Sequence, residues 1–165
     1  MSAQTIMKLV TLLAIPIIAL SAPRATVPLR FGTVPFAPAT SEQGAFDKCS
    51  TEEHHKGNLA HTADMLDCLE IGEWARNNNG MWILDTTTDA NEDANDWHVL
   101  RVQGTCALVV KNTQPTSVGN KDVVDFIEAV HLGDGIELGS IEELGTFCGC
   151  QGGVDVGFWL RSSEL

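Results

Sequence analysis

Five cysteines, at Cys49, Cys68, Cys106, Cys148 and Cys150, are the side chains of this chain best suited to chemistry. A thiol can pair, bind metal or attack a substrate, and sequence context separates these uses. Thiolate metal sites use a repeated CxxC spacing, which is absent. No catalytic signature surrounds any of the five, and no G-x-S-x-G elbow presents an activated serine. Pairing is therefore the expected use, with two bridges and one leftover thiol. Choosing the odd cysteine and pairing the other four gives fifteen arrangements.

Three further groups invite a chemical reading. His54, His55 and His61 lie close to Cys49, and a zinc site of imidazole and thiolate can be imagined there. Nothing fixes its geometry, and Cys49 in a disulfide could not ligate. Asp89, Asn91, Asp93 and Asn95 alternate like the opening of a calcium loop. Ala94 stands where that loop needs glycine and Leu100 where it needs a closing carboxylate, so a solvated acidic loop is expected. Asp125 and Glu128, three apart on the polar face of a helix, have no apolar pocket to raise a carboxyl pKa. The residues thus imply no metal, no cofactor and no catalytic set, and the expectation is a protein that is not an enzyme.

The amino terminus sets the compartment in which the cysteines act. Lys8 is followed by an apolar run from Leu9 to Leu20 and the small residues Ala19, Ser21 and Ala22, the pattern of a secretory signal. A dozen residues interrupted by Pro16 fall short of the roughly 20 that span a bilayer, so no membrane anchor is expected. Cleavage after Ser21 would remove one cation and move the net charge from −12 to −13. Such an acidic surface, with no Lys/Arg cluster, excludes nucleic acid as a partner and disfavours anionic lipid. Residues 22–44 hold four prolines and few charges, and are expected to form a disordered leader. Residues 45–165 then make one domain, small enough for disulfides to matter in an oxidising space. A secreted, extracellular monomer is expected.

The elements that would position these groups follow from periodicity. Thr62 is placed to cap a helix over 63–76, with Met65, Cys68, Leu69 and Gly72 on one face. Met81 to Leu84 reads as a short strand, and Trp97 to Val102, a Gln103-Gly104 break and Thr105 to Lys111 as a hairpin. Val123, Phe126, Ile127 and Val130 recur at i, i+3, i+4 and i+7 between an Asn120 cap and a Gly133 stop, which predicts an amphipathic helix exposing Lys121, Asp125 and Glu128. Val154, Val156, Phe158 and Leu160 alternate with polar or outward residues in a last strand. The fold class is α+β: a small disulfide-stapled sandwich, an antiparallel sheet with two helices on one face. Cys68 shares the apolar face of the first helix and Cys106 lies on the strand after the hairpin turn, so these two are expected to pair. Cys49 is then left to Cys148 or Cys150, which share the parity of the inward residues of the last strand, and spacing alone does not choose.

Several pieces together resemble a family. These are Asp67-Cys68-Leu69; Trp97 ahead of Gly104-Thr105-Cys106-Ala107-Leu108; and the run from Val118 through Gly119, Asn120, Asp122 and Val123 to Ile127. In this order, over about Cys49 to Arg161, they resemble secreted fungal necrosis-inducing effectors related to extracellular protein two of a leaf-mould pathogen. A more distant likeness is to calcium-channel-blocking fungal killer toxins, whose fold is an α/β sandwich. The resemblance implies a virulence factor that provokes cell death in plants without a known active site. It places a short apolar step before the final cysteine, which favours Cys150 as the partner of Cys49 and leaves Cys148 as a buried free thiol. Two late cysteines stand where the family has one, and Phe158 or Trp159 would be its strand aromatic. The expected action is binding of a host or competitor surface component. The rivals are an extracellular enzyme or metal protein using His54, His55 and His61, and an inert cell-wall interaction protein. The absence of tyrosine rules out a tyrosine-rich contact surface.

Overall fold

The computed structural model describes residues 32–40, 46–85, 97–133 and 139–164. The signal region 1–21 and the acidic stretch Asp89 to Asn95 lie outside the described residues. Eleven strands and two helices are present among them. A six-stranded sheet is built from β1 (Gly32–Thr33), β6 (His98–Gln103), β7 (Cys106–Asn112), β11 (Val154–Ser162), β10 (Glu143–Cys150) and β3 (Thr51–Lys56), in that order. All its neighbours are antiparallel except β1 and β6. A three-stranded antiparallel sheet orders β2 (Phe36–Pro38), β5 (Gly80–Leu84) and β8 (Thr116–Gly119), and β4 (Ala63–Asp64) pairs with β9 (Ser140–Ile141).

Helices α1 (Met65–Asn77) and α2 (Asn120–Gly133) pack together on one face of the large sheet. Their inward residues, among them Met65, Ile71, Phe126 and Ile127, meet Leu108, Val110, Phe147, Phe158 and Leu160 from the strands in one core. Phe126 lies 4.1 Å from Phe158 and 5.8 Å from Phe147, centroid to centroid, in a fully buried aromatic cluster. This is the α+β sandwich that alternation and helical periodicity predict.

Four local expectations are corrected. Asp64, not Thr62, caps α1, its carboxylate accepting from the Leu66 N–H at 2.9 Å, because Ala63 and Asp64 are first committed to the pairing with β9. Asn120 does not cap α2 with its side chain. Asp122 reaches back to the Gly119 N–H at 2.7 Å, the second half of a capping box, and frees Asn120 for long-range bonds. Residues 32–40 are no disordered leader. Val34 donates to the Val99 carbonyl at 3.0 Å and the Pro35 carbonyl accepts from Ile83 at 3.0 Å, while Phe36 packs edge-on to Trp74 and Trp82. Prolines suit these positions because a short edge strand leaves some N–H positions unused. The fourth concerns Cys148. Cys148 follows core-facing Phe147 on β10 and so points away from the core, half-buried rather than buried, while a bulge between Phe147 and Cys150, with Gly149 at φ +57°, brings Cys150 back to the core face.

Candidate functional site

The motif residues converge on two structural junctions. At the first, Asp67 on α1 accepts from the Thr105 N–H at 2.7 Å and its hydroxyl at 2.6 Å, clamping the β6–β7 turn. Those bonds, the hydroxyl foremost, hold the Asp67 carboxyl below its ordinary value. Gly104 takes φ +50°, and a Cβ there would lie 2.4 Å from the Asp67 carboxyl carbon. One residue further along both elements, Cys68 and Cys106 form a disulfide with Cα atoms 5.2 Å apart. Asp67-Cys68 and Gly104-Thr105-Cys106 are thus two halves of one staple between helix and sheet.

At the second junction, the start of α2 holds the segment that enters the domain. The Asp122 carboxylate accepts from Lys48 and Cys49 N–H groups at 3.1 Å each as well as from Gly119. Asn120 accepts from Phe46 N–H at 2.9 Å and Gly80 N–H at 3.3 Å and donates to the Ala75 carbonyl at 3.1 Å. Burial pushes the Asp122 carboxyl up to about 6, against the pull of its three backbone donors. Gly119 sits under the Phe46 carbonyl, where a Cβ would meet oxygen at 2.1 Å. The Cys49–Cys150 disulfide locks the same entry segment to β10, and Cys148 remains a free thiol. Val123 and Ile127 are buried core residues of α2. Asp67, Asn120 and Asp122 thus hold the two junctions, Gly119 leaves room at the second, and Val123 and Ile127 fill the core.

The histidines do not converge. His54 and His55 are consecutive on β3 and so point to opposite faces. The His54 ring meets Glu143, with Nδ1 at 3.4 Å from the carboxylate, and Phe126, whereas His61 packs edge-on to Trp159. Among the described residues no group of three His, Cys, Asp or Glu side chains is arranged to hold a metal ion. Asp125 pairs with Lys121 and Glu128 with Arg76. Lys121 and Asp125 are half-exposed and Glu128 is exposed.

What remains is the face of the large sheet opposite the helices. Register places Val99, Val102, Ala107, Val109, Trp159 and Arg161 there, and Trp97 approaches Gly157. Trp97 and Trp159 meet edge-to-face at 5.8 Å, and the Arg161 guanidinium lies over the Trp159 ring at 4.1 Å. Trp159 donates its indole N–H to Glu142 at 3.1 Å, and the other Glu142 oxygen accepts from the His61 N–H at 3.2 Å. Arg161 and Glu142 are each 2 % exposed, and Arg161 Nε and Nη1 have no hydrogen-bond partner among the described residues. Burial lowers the Arg161 pKa, partly offset by the Glu142 charge. Phe158 faces the core and Trp159 this outer face, which places each of the two late aromatics. The outward positions of β11 were legible from alternation, but a buried arginine and the remote Glu142 beneath the 57–61 loop had no local signal.

Fold and junctions define a small disulfide-stapled α+β domain whose most specific sequence pieces meet at the two junctions. No helix among the described residues is long and apolar enough to cross a membrane. Residues 48–142 match the model of the Hce2 family, described as "Pathogen effector; putative necrosis-inducing factor", and the chain belongs to that family. A search of curated proteins finds no match.

Proposed function

We propose that this protein is a secreted effector that acts by binding a host or competitor surface component through the outer face of its large sheet, not by catalysis. Residues 1–21 would be removed on export, and the disulfides would form in the oxidising space beyond. The folded unit would include residues 32–40, which contribute strands to the six-stranded and three-stranded sheets.

The outer-face group of Trp97, Trp159 and Arg161 supports this reading most strongly. Two half-buried indoles lie beside a guanidinium whose Nε and Nη1 lack acceptors, and a buried unpartnered donor is costly. The guanidinium, buried behind the Trp159 ring, holds that indole in place, and the two half-buried indoles offer the aromatic contact area of a binding hot spot. With a net charge of −12, long-range attraction favours cationic partners and repels strongly anionic ones.

The test applies the purified mature protein to plant tissue and to fungal and bacterial cells, with a panel of hydrolase substrates assayed on the same sample. Cell death in one of these targets, saturable binding to it, and no turnover are expected. Turnover lost with the folded state, or absence of binding to any target, would refute the proposal.

A further inference from the structure

One edge of the large sheet is formed by β3, and its sequence Thr51-Glu52-Glu53-His54-His55-Lys56 is exposed except at Glu52. The Gly57 N–H donates to the Glu142 carbonyl at 2.7 Å, continuing the β3–β10 register. Antiparallel ladders alternate, so the backbone groups of Thr51, Glu53 and His55 face β10 and those of Glu52 and His54 face the open edge. The edge-facing N–H and C=O groups of Glu52 and His54 have no partner among the described residues.

Charged edges ordinarily discourage a second strand. The outcome here depends on register, because a symmetric antiparallel pair must set edge-facing residues opposite edge-facing residues. Two well-overlapped registers meet that rule. One is centred on Glu53 and stacks two carboxylates on the axis. The other is centred on His54 and sets Glu53 opposite His55 of the second copy, a pairing that occurs twice.

We propose that β3 is a self-recognition edge, through which a second copy of this chain adds antiparallel across a two-fold axis at His54. The result is one continuous sheet through both copies. This inference does not depend on the outer-face reading, although it would place two outer faces side by side and so double the contacts to a surface-bound target. A single strand edge is a small interface, so association is weak, on the order of 0.1–1 mM.

Glu53 and His55 lie on the outer face, are exposed, and occupy directly opposite, non-hydrogen-bonded positions in the proposed register, where side chains come closest. Sedimentation equilibrium of the mature protein near pH 6.5 should show a monomer–dimer equilibrium. Glu53→Lys and His55→Glu should each weaken self-association roughly tenfold, because each makes two attractive pairs repulsive or null. Mixed together, the two variants should form a heterodimer at least as tight as the wild-type pair. The introduced lysine of one copy would then face the introduced glutamate of the other, and the remaining native Glu53 would face the remaining native His55. Circular dichroism of each variant checks that the fold is intact. A wild-type protein that stays monomeric to about 1 mM would overturn the proposal. So would single variants that associate like wild type, or a mixture that shows no preferential heterodimer.

Discussion

Acidification should stabilise this protein through Asp122, the reverse of the usual behaviour of a hydrogen-bonded carboxylate. Asp122 is only 6 % exposed, and its carboxyl is raised in the folded protein from 3.8 to about 6. The folded state therefore binds a proton that the unfolded state releases between these two values. Its favourable contribution is complete below pH 3.8 and is lost as pH rises through about 6. The full shift would be worth about 3 kcal/mol at 1.36 kcal/mol per pH unit. Partial relaxation around the buried carboxylate reduces this, so about 1–2 kcal/mol is expected. Urea unfolding of wild type and Asp122→Asn at pH 4.5 and pH 7 isolates the effect, because the amide keeps an acceptor for the clasp but does not titrate. Wild type should gain about 1–2 kcal/mol more than the variant on going to the lower pH. If wild type instead loses stability relative to Asp122→Asn, the three N–H donors outweigh burial and the carboxylate is held as an anion.

Four further outcomes follow from the packing and the disulfides. Phe126→Ala should cost about 3–5 kcal/mol in chemical denaturation, because it empties the centre of the Phe126, Phe147 and Phe158 cluster; a loss under about 1 kcal/mol would contradict its placement. The Cys68→Ala/Cys106→Ala pair should lower stability by about 3–4 kcal/mol, the chain-entropy value for closing that loop, whose ends are 38 residues apart. Non-reducing peptide mapping should link Cys68 to Cys106 and Cys49 to Cys150, with Cys148 open to alkylation in the native protein. Gly104→Ala should destabilise by more than about 1 kcal/mol, since the added methyl meets both a positive φ and the Asp67 carboxylate; a neutral result would show that the turn relaxes.

The amphipathic pattern of Val123, Phe126, Ile127 and Val130 made α2 legible, since a strong 3.6-residue period leaves few alternatives. The alternation of β11 likewise fixed which of its residues face the core. Hairpin β6–β7 was readable because Gly104 marks a turn that only a flexible residue enters easily. The missed features are non-local. Pro-rich residues 32–40 look structureless until Phe36 is set against Trp74 and Trp82, which lie far along the chain. Asn120 reads as a cap because caps are its common use, yet its partners are Phe46, Gly80 and Ala75. Cys148 and Cys150 share parity in the sequence, and only the bulge at Gly149 separates their faces. The Arg161 and Glu142 environment depends on a loop folding over a strand, and no window of sequence contains both.

If the outer sheet face, not a catalytic centre, carries the effect of this protein, removing its two indoles should abolish that effect. The double variant Trp97→Ala/Trp159→Ala, compared with wild type in a cell-death assay at matched concentration, tests this. Both indoles lie outside the main core. Near-native far-ultraviolet circular dichroism and both disulfides intact would confirm that the variant folds. This folded variant should lose target binding and cell death together, by at least about tenfold in the concentration needed, as expected for two aromatic anchors. Undiminished cell death from a folded Trp97→Ala/Trp159→Ala protein would show that the effect resides elsewhere.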